Sequence, residues 1–567
     1  MRYTLLTAAL LTTAYLHGQV ITTPPQGSNI RAMAEWEELQ SLNITWTGFP
    51  AILKQIVAAA KEEVQVLIIT DNPGETEDYL MTDNTGGDAF IDMNNITLIE
   101  GDFNTIWTRD YSANPVYTNE VDSLVLVDWI YNRPRPDDDA SPELIAAELG
   151  VELYATVESP NELMNTGGNF MCDGFGTAFA SELVLDENDG DGDNNQLDYP
   201  DHTETEIDDI ILQFMGIDRY IKMPTLPYDG IHHIDMHMKL VNEETLLVSE
   251  YPDGVADGPQ INANIEYVLA NYNSLWDTPY RVVHIPAPPS TSGLYPDDGG
   301  AYRTYTNGVF VNNTIIFPTY REEYDTTAYR IWGEVCPGYN LVGIDCDNQG
   351  NNIISQSGAI HCITHAVGVE DPLLISHQPQ QDTYDDENPY ALSAYMSHRD
   401  GVDNGMVYWR INDDTDWQEI TMTDAGGGNW LASIPAQAIG TFIHYYIRGE
   451  ATTGKVQVRP MPAPNGFWTF EVLGPVNVMD ALMASFVKVF PNPANAITCT
   501  EISFAMPQQG ELYIADLSGR KVLEIHSGIF KNGVSKYFFD AKNLTAGAYR
   551  IVLQTEFAAT TELLMVK

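Results

Sequence analysis

Cys362 lies in Ser357-Gly-Ala-Ile-His-Cys-Ile-Thr-His365, among small, apolar and imidazole side chains. Alone, a cysteine in such a setting is usually a buried, inert thiol. Upstream, at domain-scale separations, come Trp107-Thr-Arg-Asp110 and a His-x-Asp pair at His233 and Asp235. A thiol, an imidazole and two carboxylates can together hold a cationic carbon between anions and attack it. Each piece also has an ordinary reading. Arg109-Asp110 fits a structural ion pair, and His233, Asp235 and His237 share one face of an extended segment, which suits zinc.

Elements able to position these groups are legible around them. Pro50 to Val64 has helical apolar spacing and runs into a strand-like Gln65-Val-Leu-Ile-Ile-Thr70. Ser123 to Trp129, Ala180 to Leu185, Arg281 to Ile285 and Val309 to Phe317 read as strands, Ser141 to Leu149 and Ile261 to Tyr272 as helices. This alternation predicts an α/β catalytic domain over residues 26–370. After Asp371 the helical pattern stops. Met406 to Ile411, Trp417 to Met422 and Thr441 to Arg448 are strands between Asp/Gly turns, which predicts an Ig-like β-sandwich over 371–475. A second all-β unit covers 478–567.

The chain has 567 residues, enough for several domains, and its 80 Asp+Glu against 27 Lys+Arg give a formal charge of −53. Such a surface excludes nucleic acid and anionic membranes as partners and attracts cations. Met1-Arg2, the apolar run Thr4 to Tyr15 and Leu16-His-Gly18 read as an export signal over residues 1–18. No later segment reaches the roughly 18 apolar residues of a spanning helix. Of the five cysteines, Cys336 and Cys346 stand in a Pro/Gly/Asn/Asp-rich stretch as a candidate bridge, and the odd count leaves at least one thiol free.

Taken as an ordered set, the central motifs resemble the guanidine-modifying enzymes: the agmatine, arginine and peptidylarginine deiminases. The resemblance rests on Trp-Thr-Arg-Asp110, Asn165-Thr-Gly-Gly-Asn169 with Asp173-Gly174, His233-x-Asp235, Tyr305-Thr-Asn307 and Ser357 to Cys362, and spans most of residues 60–370. It implies a five-bladed, pseudo-symmetric α/β propeller and a reaction that needs no cofactor. Asp110 and Asp235 would bind the guanidinium and Cys362 would attack its carbon. His233 would serve as general acid and base, and Asn307 as a polar active-site group. Trp107 would lie in the substrate site. His361, His365 and His237 rank behind His233 for proton transfer. The residues before His233, Asp229-Gly-Ile-His, place no aromatic wall immediately beside the pair.

Tyr131-Asn-Arg133-Pro-Arg135 is similar to the segment with which bacterial secreted peptidylarginine deiminases bind their substrate's α-carboxylate. Arg133 and Arg135 suit forked carboxylate recognition, which implies peptides or proteins ending in arginine as partners. The other reading of this pair is neutralisation of Asp137-Asp-Asp139. The last unit, with Val489-Phe-Pro-Asn-Pro-Ala494, Asp516-Leu-Ser-Gly-Arg520 and Leu544-Thr-Ala-Gly-Ala-Tyr-Arg550, closely resembles the C-terminal sorting domain of type IX secretion cargo. It implies the type IX machinery as a partner and a destination outside the cell or at the outer-membrane surface. Finally, Asp186 to Asp198 is acidic and Gly-rich. In an EF-hand register from Glu187 it offers Asp189, Asp191, Asp193 and Asp198 to a structural calcium. An agmatine or free-arginine deiminase, an amidinotransferase and a surface adhesin are the competing readings.

Overall fold

The computed structural model describes residues 20–83, 90–190, 200–474, 484–504, 507–531, 533–555 and 559–567. The predicted export signal and Asp191, Asp193 and Asp198 of the acidic loop lie outside them. The chain is mixed α/β at first and all-β afterwards.

Residues up to Gly368 build five small sheets on one plan. A short strand pairs antiparallel with the next one, a helix follows, and a third strand returns parallel to the second. The first such unit is Asn114–Thr118, Ser123–Tyr131, helix Ser141–Leu149 and Glu152–Thr156. The second is Met171–Cys172, Thr177–Ser181, helix Glu204–Met215 and Arg219–Met223. The third is Met238–Asn242, Thr245–Glu250, helix Gly258–Asn271 and Arg281–Pro286. The fourth is Val309–Val311, Thr314–Thr319, helix Glu322–Val335 and Asn340–Asp345. The fifth joins the two ends of the region. His365–Gly368 pairs antiparallel with Leu39–Thr45, which leads through helix Pro50–Ala60 to the parallel strand Gln65–Thr70. Among the described residues, no sheet closes on itself.

Local sequence explains these elements. Gln65–Thr70 is buried at every residue after the first, as a parallel strand covered on both faces requires, and so its pattern is continuous rather than alternating. Helix Glu204–Met215 starts on a capping box between Thr203 and Glu206, which satisfies two otherwise orphaned backbone donors. It stops at Gly216 (φ +71°), where a side chain would also run into the backbone of Ile30.

Two expectations change. The strand predicted over Ala180 to Leu185 ends at Ser181, where pairing with Met223 stops, and a helical turn Leu183–Asp186 follows. Ser181 Oγ accepts the Leu183 N–H at 3.3 Å, which turns the backbone. The single strand predicted over Val309 to Phe317 is a hairpin, folded at Asn312, whose φ of 48° belongs to a tight turn. The candidate Cys336–Cys346 bridge does not form: both thiols are buried and free.

Beyond Gly368 two antiparallel sheets face the α/β region within one compact unit. One runs Leu374–Ser376, Tyr390–Ser397, Asn429–Ile434, Thr423–Gly426. The other centres on Val402–Ile411 and Phe442–Ala451. Tyr390–Ser397 alternates buried and less buried residues, the signature of a sheet with one face in a core. Arg459 donates to Trp36 O at 2.8 Å, and Tyr395 and Ser397 both donate to Glu120 at 2.6 Å. A second compact unit, mainly Val472–Lys567, holds two further antiparallel sheets around Ile502, Phe504, Leu512, Ile514 and Ile551.

Candidate active site

Asp110, Asp235, Asn307 and Cys362, with Gly168 of the Asn165–Asn169 motif, occupy equivalent places in the five units. In each, the first strand is entered from a turn or loop that carries one of them. Asp110 sits in the helical turn Thr108–Tyr111 before Asn114–Thr118. Gly168 is in the turn Gly167–Asn169, Asp235 in Ile234–Met236, and Cys362 in His361–Ile363. Asn307 lies two residues before the start of Val309–Val311.

These turns converge. Asn307 Nδ2 lies 3.2 Å from Cys362 Sγ, and Asn307 Oδ1 accepts the backbone N–H of His361 at 3.0 Å and of Cys362 at 3.4 Å. Asn307 therefore fixes both the cysteine backbone and its sulfur. Cys362 Sγ lies 3.6 Å from Asp235 Oδ2. His233 Nδ1 is 3.5 Å from Asp110 Oδ1. Gly168 makes the last approach possible: a Cβ there would collide with His233 Nδ1 and sit 3.1 Å from Asp110 Oδ1. Gly358 similarly leaves room for the ring of half-buried Trp107.

Among the described buried groups, Asp110 Oδ1, Asp235 Oδ1 and both ring nitrogens of His233 have no hydrogen-bond partner. Buried polar atoms are rarely left so, and several in one cluster mark a place where a ligand completes the bonding. All the orphaned carboxylate atoms accept hydrogen bonds, so the site is complementary to donor groups such as N–H.

Burial pushes the Cys362 thiol well above its ordinary value, and the charges of Asp235 and Asp110 add to the effect. Both influences favour the thiol over the thiolate. Burial also raises Asp110, against the pull of His233. Burial acts on Asp235 in the same sense, but the hydrogen bond and charge of His361, with His233 and Lys239, outweigh it and hold that carboxyl below its ordinary value.

His361 earns its influence by position. Its Nδ1 is 2.7 Å from Asp235 Oδ2, and its Nε2 is 3.1 Å from each oxygen of Glu35. Lys239 Nζ lies 2.5 Å from Glu35 Oε2. Neither Glu35 nor Lys239 stands out in the sequence, and His361 is nearer the chemistry than its low ranking there implies. His237 and His365 are different: burial drives His237 down to about 4 and His365 well below its ordinary value, so both rings are neutral. The extended face shared by His233, Asp235 and His237 is replaced by a tight turn at Ile234–Met236.

Arg133 and Arg135 are half-buried. Among the described residues, Arg133 makes one hydrogen bond, to Asn132 O at 3.4 Å, and Arg135 one, to Tyr131 OH at 2.9 Å. Neither makes a hydrogen bond to Asp137-Asp-Asp139 among the described residues, although the charge of Arg135 acts on Asp138. Asp138 accepts from the N–H groups of Asn104 and Thr105, Asp139 from that of Tyr131, and Asp137 from Asn104 Nδ2. The field of Arg133 reaches Asp110. A surface cavity of about 490 Å³ has Tyr228, Asp229, Tyr302 and Ser357 among its lining residues. Tyr228 and Tyr302 put aromatic walls in the cavity that Asp229 borders.

The described ends of the acidic insertion meet, with Asp189 bridged to Asp201 and Gly190 N bonded to Pro200 O at 2.9 Å. Glu187, where the EF-hand register begins, is buried and accepts from Asn132 Nδ2 at 2.7 Å. Burial raises it to about 7. A helical turn, not a strand, precedes it.

Residues 31–367 match the model of the Porphyromonas-type peptidyl-arginine deiminase family, and residues 488–567 that of the secretion-system C-terminal sorting domain. The chain belongs to the Porphyromonas-type peptidyl-arginine deiminase family. It is therefore a hydrolase of the class that acts on C–N bonds of amidino groups, and its sorting domain marks it as secreted or cell-surface. A Legionella pneumophila protein assigned by name to the agmatine deiminases is 26% identical over 317 residues, covering 54% of this chain and 83% of its own length. One from Shewanella baltica with the same assignment is 24% identical over 397 residues, 63% of this chain and 99% of its own. The agmatine deiminase of Enterococcus faecalis superposes with a TM-score of 0.50 at 18% identity, over 61% of this chain and 99% of that one, and shares the fold. No helix among the described residues is long and apolar enough to cross a membrane.

Proposed function

We propose that this protein converts C-terminal arginine of peptides and proteins to citrulline, releasing ammonia, with Cys362 as nucleophile. The supporting observation is the pair of unpartnered carboxylate oxygens, Asp110 Oδ1 and Asp235 Oδ1, beside a thiol 3.6 Å from the other oxygen of Asp235. Two carboxylates in forked geometry fix a planar guanidinium. Its positive charge also favours the thiolate, which burial and the two carboxylates disfavour. His233 takes the thiol proton as sulfur bonds to the guanidinium carbon, then returns it to the departing nitrogen, which leaves as ammonia. In the second half, His233 deprotonates water, the oxygen adds to the same carbon, the C–S bond breaks and the thiol is restored.

Arg133 and Arg135 are read as the clamp for the substrate's free carboxylate. The five sheets are read as the blades of a pseudo-symmetric propeller and the following two as an Ig-like sandwich. Incubation of a peptide ending in arginine is expected to give citrulline by mass spectrometry, and Cys362→Ala to give none. Arg133→Gln is expected to raise KM for that peptide about 10–100-fold while sparing agmatine, the loss of one forked charge pair. Equal loss on both substrates would favour the agmatine deiminase reading. The acidic loop is read as a structural calcium site. Chelation is then expected to lower the melting temperature and leave kcat unchanged, and lost activity at an unchanged melting temperature would reverse that reading.

A further inference from the structure

The cysteine chemistry just proposed, on which this inference rests, needs Asp235 both ionised and aimed. Asp235 is 1% exposed, a setting that by itself favours neither. We propose that Glu35 is a positioning residue for Asp235, acting through His361: it sets the protonation of the imidazole ring and thereby which oxygen of Asp235 is left for substrate.

Both ring nitrogens of His361 face carboxylates, Nδ1 at 2.7 Å from Asp235 Oδ2 and Nε2 at 3.1 Å from both oxygens of Glu35. An ionised carboxylate only accepts hydrogen bonds, so the ring serves both sides only when both nitrogens carry protons. With one proton, one of the two contacts becomes a lone pair against a carboxylate. Glu35 supplies the second negative charge that makes the doubly protonated ring the consistent state. The consequence at the far end is geometric. Asp235 Oδ2 is committed to His361, and Oδ1 is the oxygen left without a partner.

Glu35 is itself held in place. Lys239 Nζ is 2.5 Å from its Oε2, and Lys239 is 1% exposed. The flanking backbone is pinned on both sides, Ala34 N–H by Glu37 Oε1 at 2.8 Å and Trp36 O by Arg459 at 2.8 Å. Arg109 Nε reaches His361 O at 3.4 Å.

The test reads the ring directly. In the full chain carrying Cys362→Ala and ¹⁵N-histidine, the His361 signals are assigned by their loss in His361→Asn. Both nitrogens are expected at the protonated shift. Glu35→Gln should move one of them to the unprotonated shift, and Glu35→Asp, which keeps the charge, should not. In the enzyme with Cys362 intact, Glu35→Gln is expected to lower kcat/KM about a hundredfold, the cost of a misplacement of ångström scale, with melting within a few degrees of the parent. A singly protonated His361 in the parent overturns the proposal, whether or not Glu35→Gln folds. So does an unchanged ring and an unchanged kcat/KM in that variant. Because the ring is read without Cys362, a parent that forms no citrulline but shows the doubly protonated ring counts against the cysteine reading alone.

Discussion

Asp110 and Asp235 stand in equivalent turns of two different units, yet the fold treats them in opposite ways. Asp110 enters on the turn Thr108–Tyr111 with His233 Nδ1 3.5 Å away, and burial raises its carboxyl. Asp235 enters on Ile234–Met236 with one oxygen bonded to His361 at 2.7 Å, and its carboxyl is lowered although it is the more deeply buried. The difference is a second carboxylate and a lysine behind His361. One anion of the site is stabilised before any ligand arrives, and the other depends on the ligand's own charge.

This contrast is broken most forcefully by neutralising each carboxylate in turn. Asp235→Asn and Asp110→Asn are each expected to lower kcat/KM by about 10²–10³-fold, the cost of removing one oriented electrostatic contact from a transition state. Their effects on folding should diverge. Asp235→Asn leaves His361 and its neighbours with one carboxylate fewer in a dry core and should cost about 3–5 kcal/mol. Asp110→Asn removes a charge the fold disfavours and should cost nothing. Urea unfolding of both variants checks this, and equal losses would show that the two turns are not different in kind.

A gentler perturbation sharpens the comparison on the Asp110 side. Gly168→Ala places a methyl group against His233 Nδ1 and at 3.1 Å from Asp110 Oδ1, while leaving the Asp235 chain untouched. The expected result is a fall in kcat of about a hundredfold with a normal His361 ring, since only the imidazole and Asp110 are displaced. Steady-state kinetics at saturating peptide would detect it. If kcat is unaffected, the close packing of Gly168 has no catalytic meaning.

How much of this was visible in the sequence depends on the length scale of each interaction. Strand Gln65–Thr70 and helices Pro50–Ala60 and Ser141–Leu149 follow from apolar periodicity, because each buries a face determined by its own residues. The hairpin at Asn312 escaped because both its strands are rich in β-branched and aromatic residues, and two asparagines are a faint interruption. The ordered motifs pointed to Cys362, Asn307, Asp235, His233 and Asp110, with His233 and Asp235 sharing one turn. Glu35 was illegible: its contacts to His361 and Lys239 span 326 and 204 residues of chain, and no spacing rule reaches that far. The tight turn at Ile234–Met236 also defeated the period-of-two argument for His237, since three residues in such a turn no longer alternate between faces.

The smallest expected effect is in the pH dependence of stability. Asp110 holds its proton more tightly folded than unfolded, so the folded protein gains less from ionising it. Stability therefore declines as pH climbs from the unfolded aspartate value, about 3.9, to the raised folded value, and is flat above it. Asp235 has the opposite sign. Its contribution is fully present above about 3.9 and is lost as pH falls through its lowered folded value. The melting temperature of Asp110→Asn, relative to the parent, should thus be unchanged near pH 4 and rise by a few degrees by pH 7, each pKa unit being worth about 1.4 kcal/mol. For Asp235→Asn the deficit should be largest at neutral pH and shrink below pH 4, where the parent loses the same charge. Two parallel melting curves across pH 4 to 7, offset but not diverging, would mean that both carboxylates carry the same electrostatic load and that the chain behind His361 adds nothing.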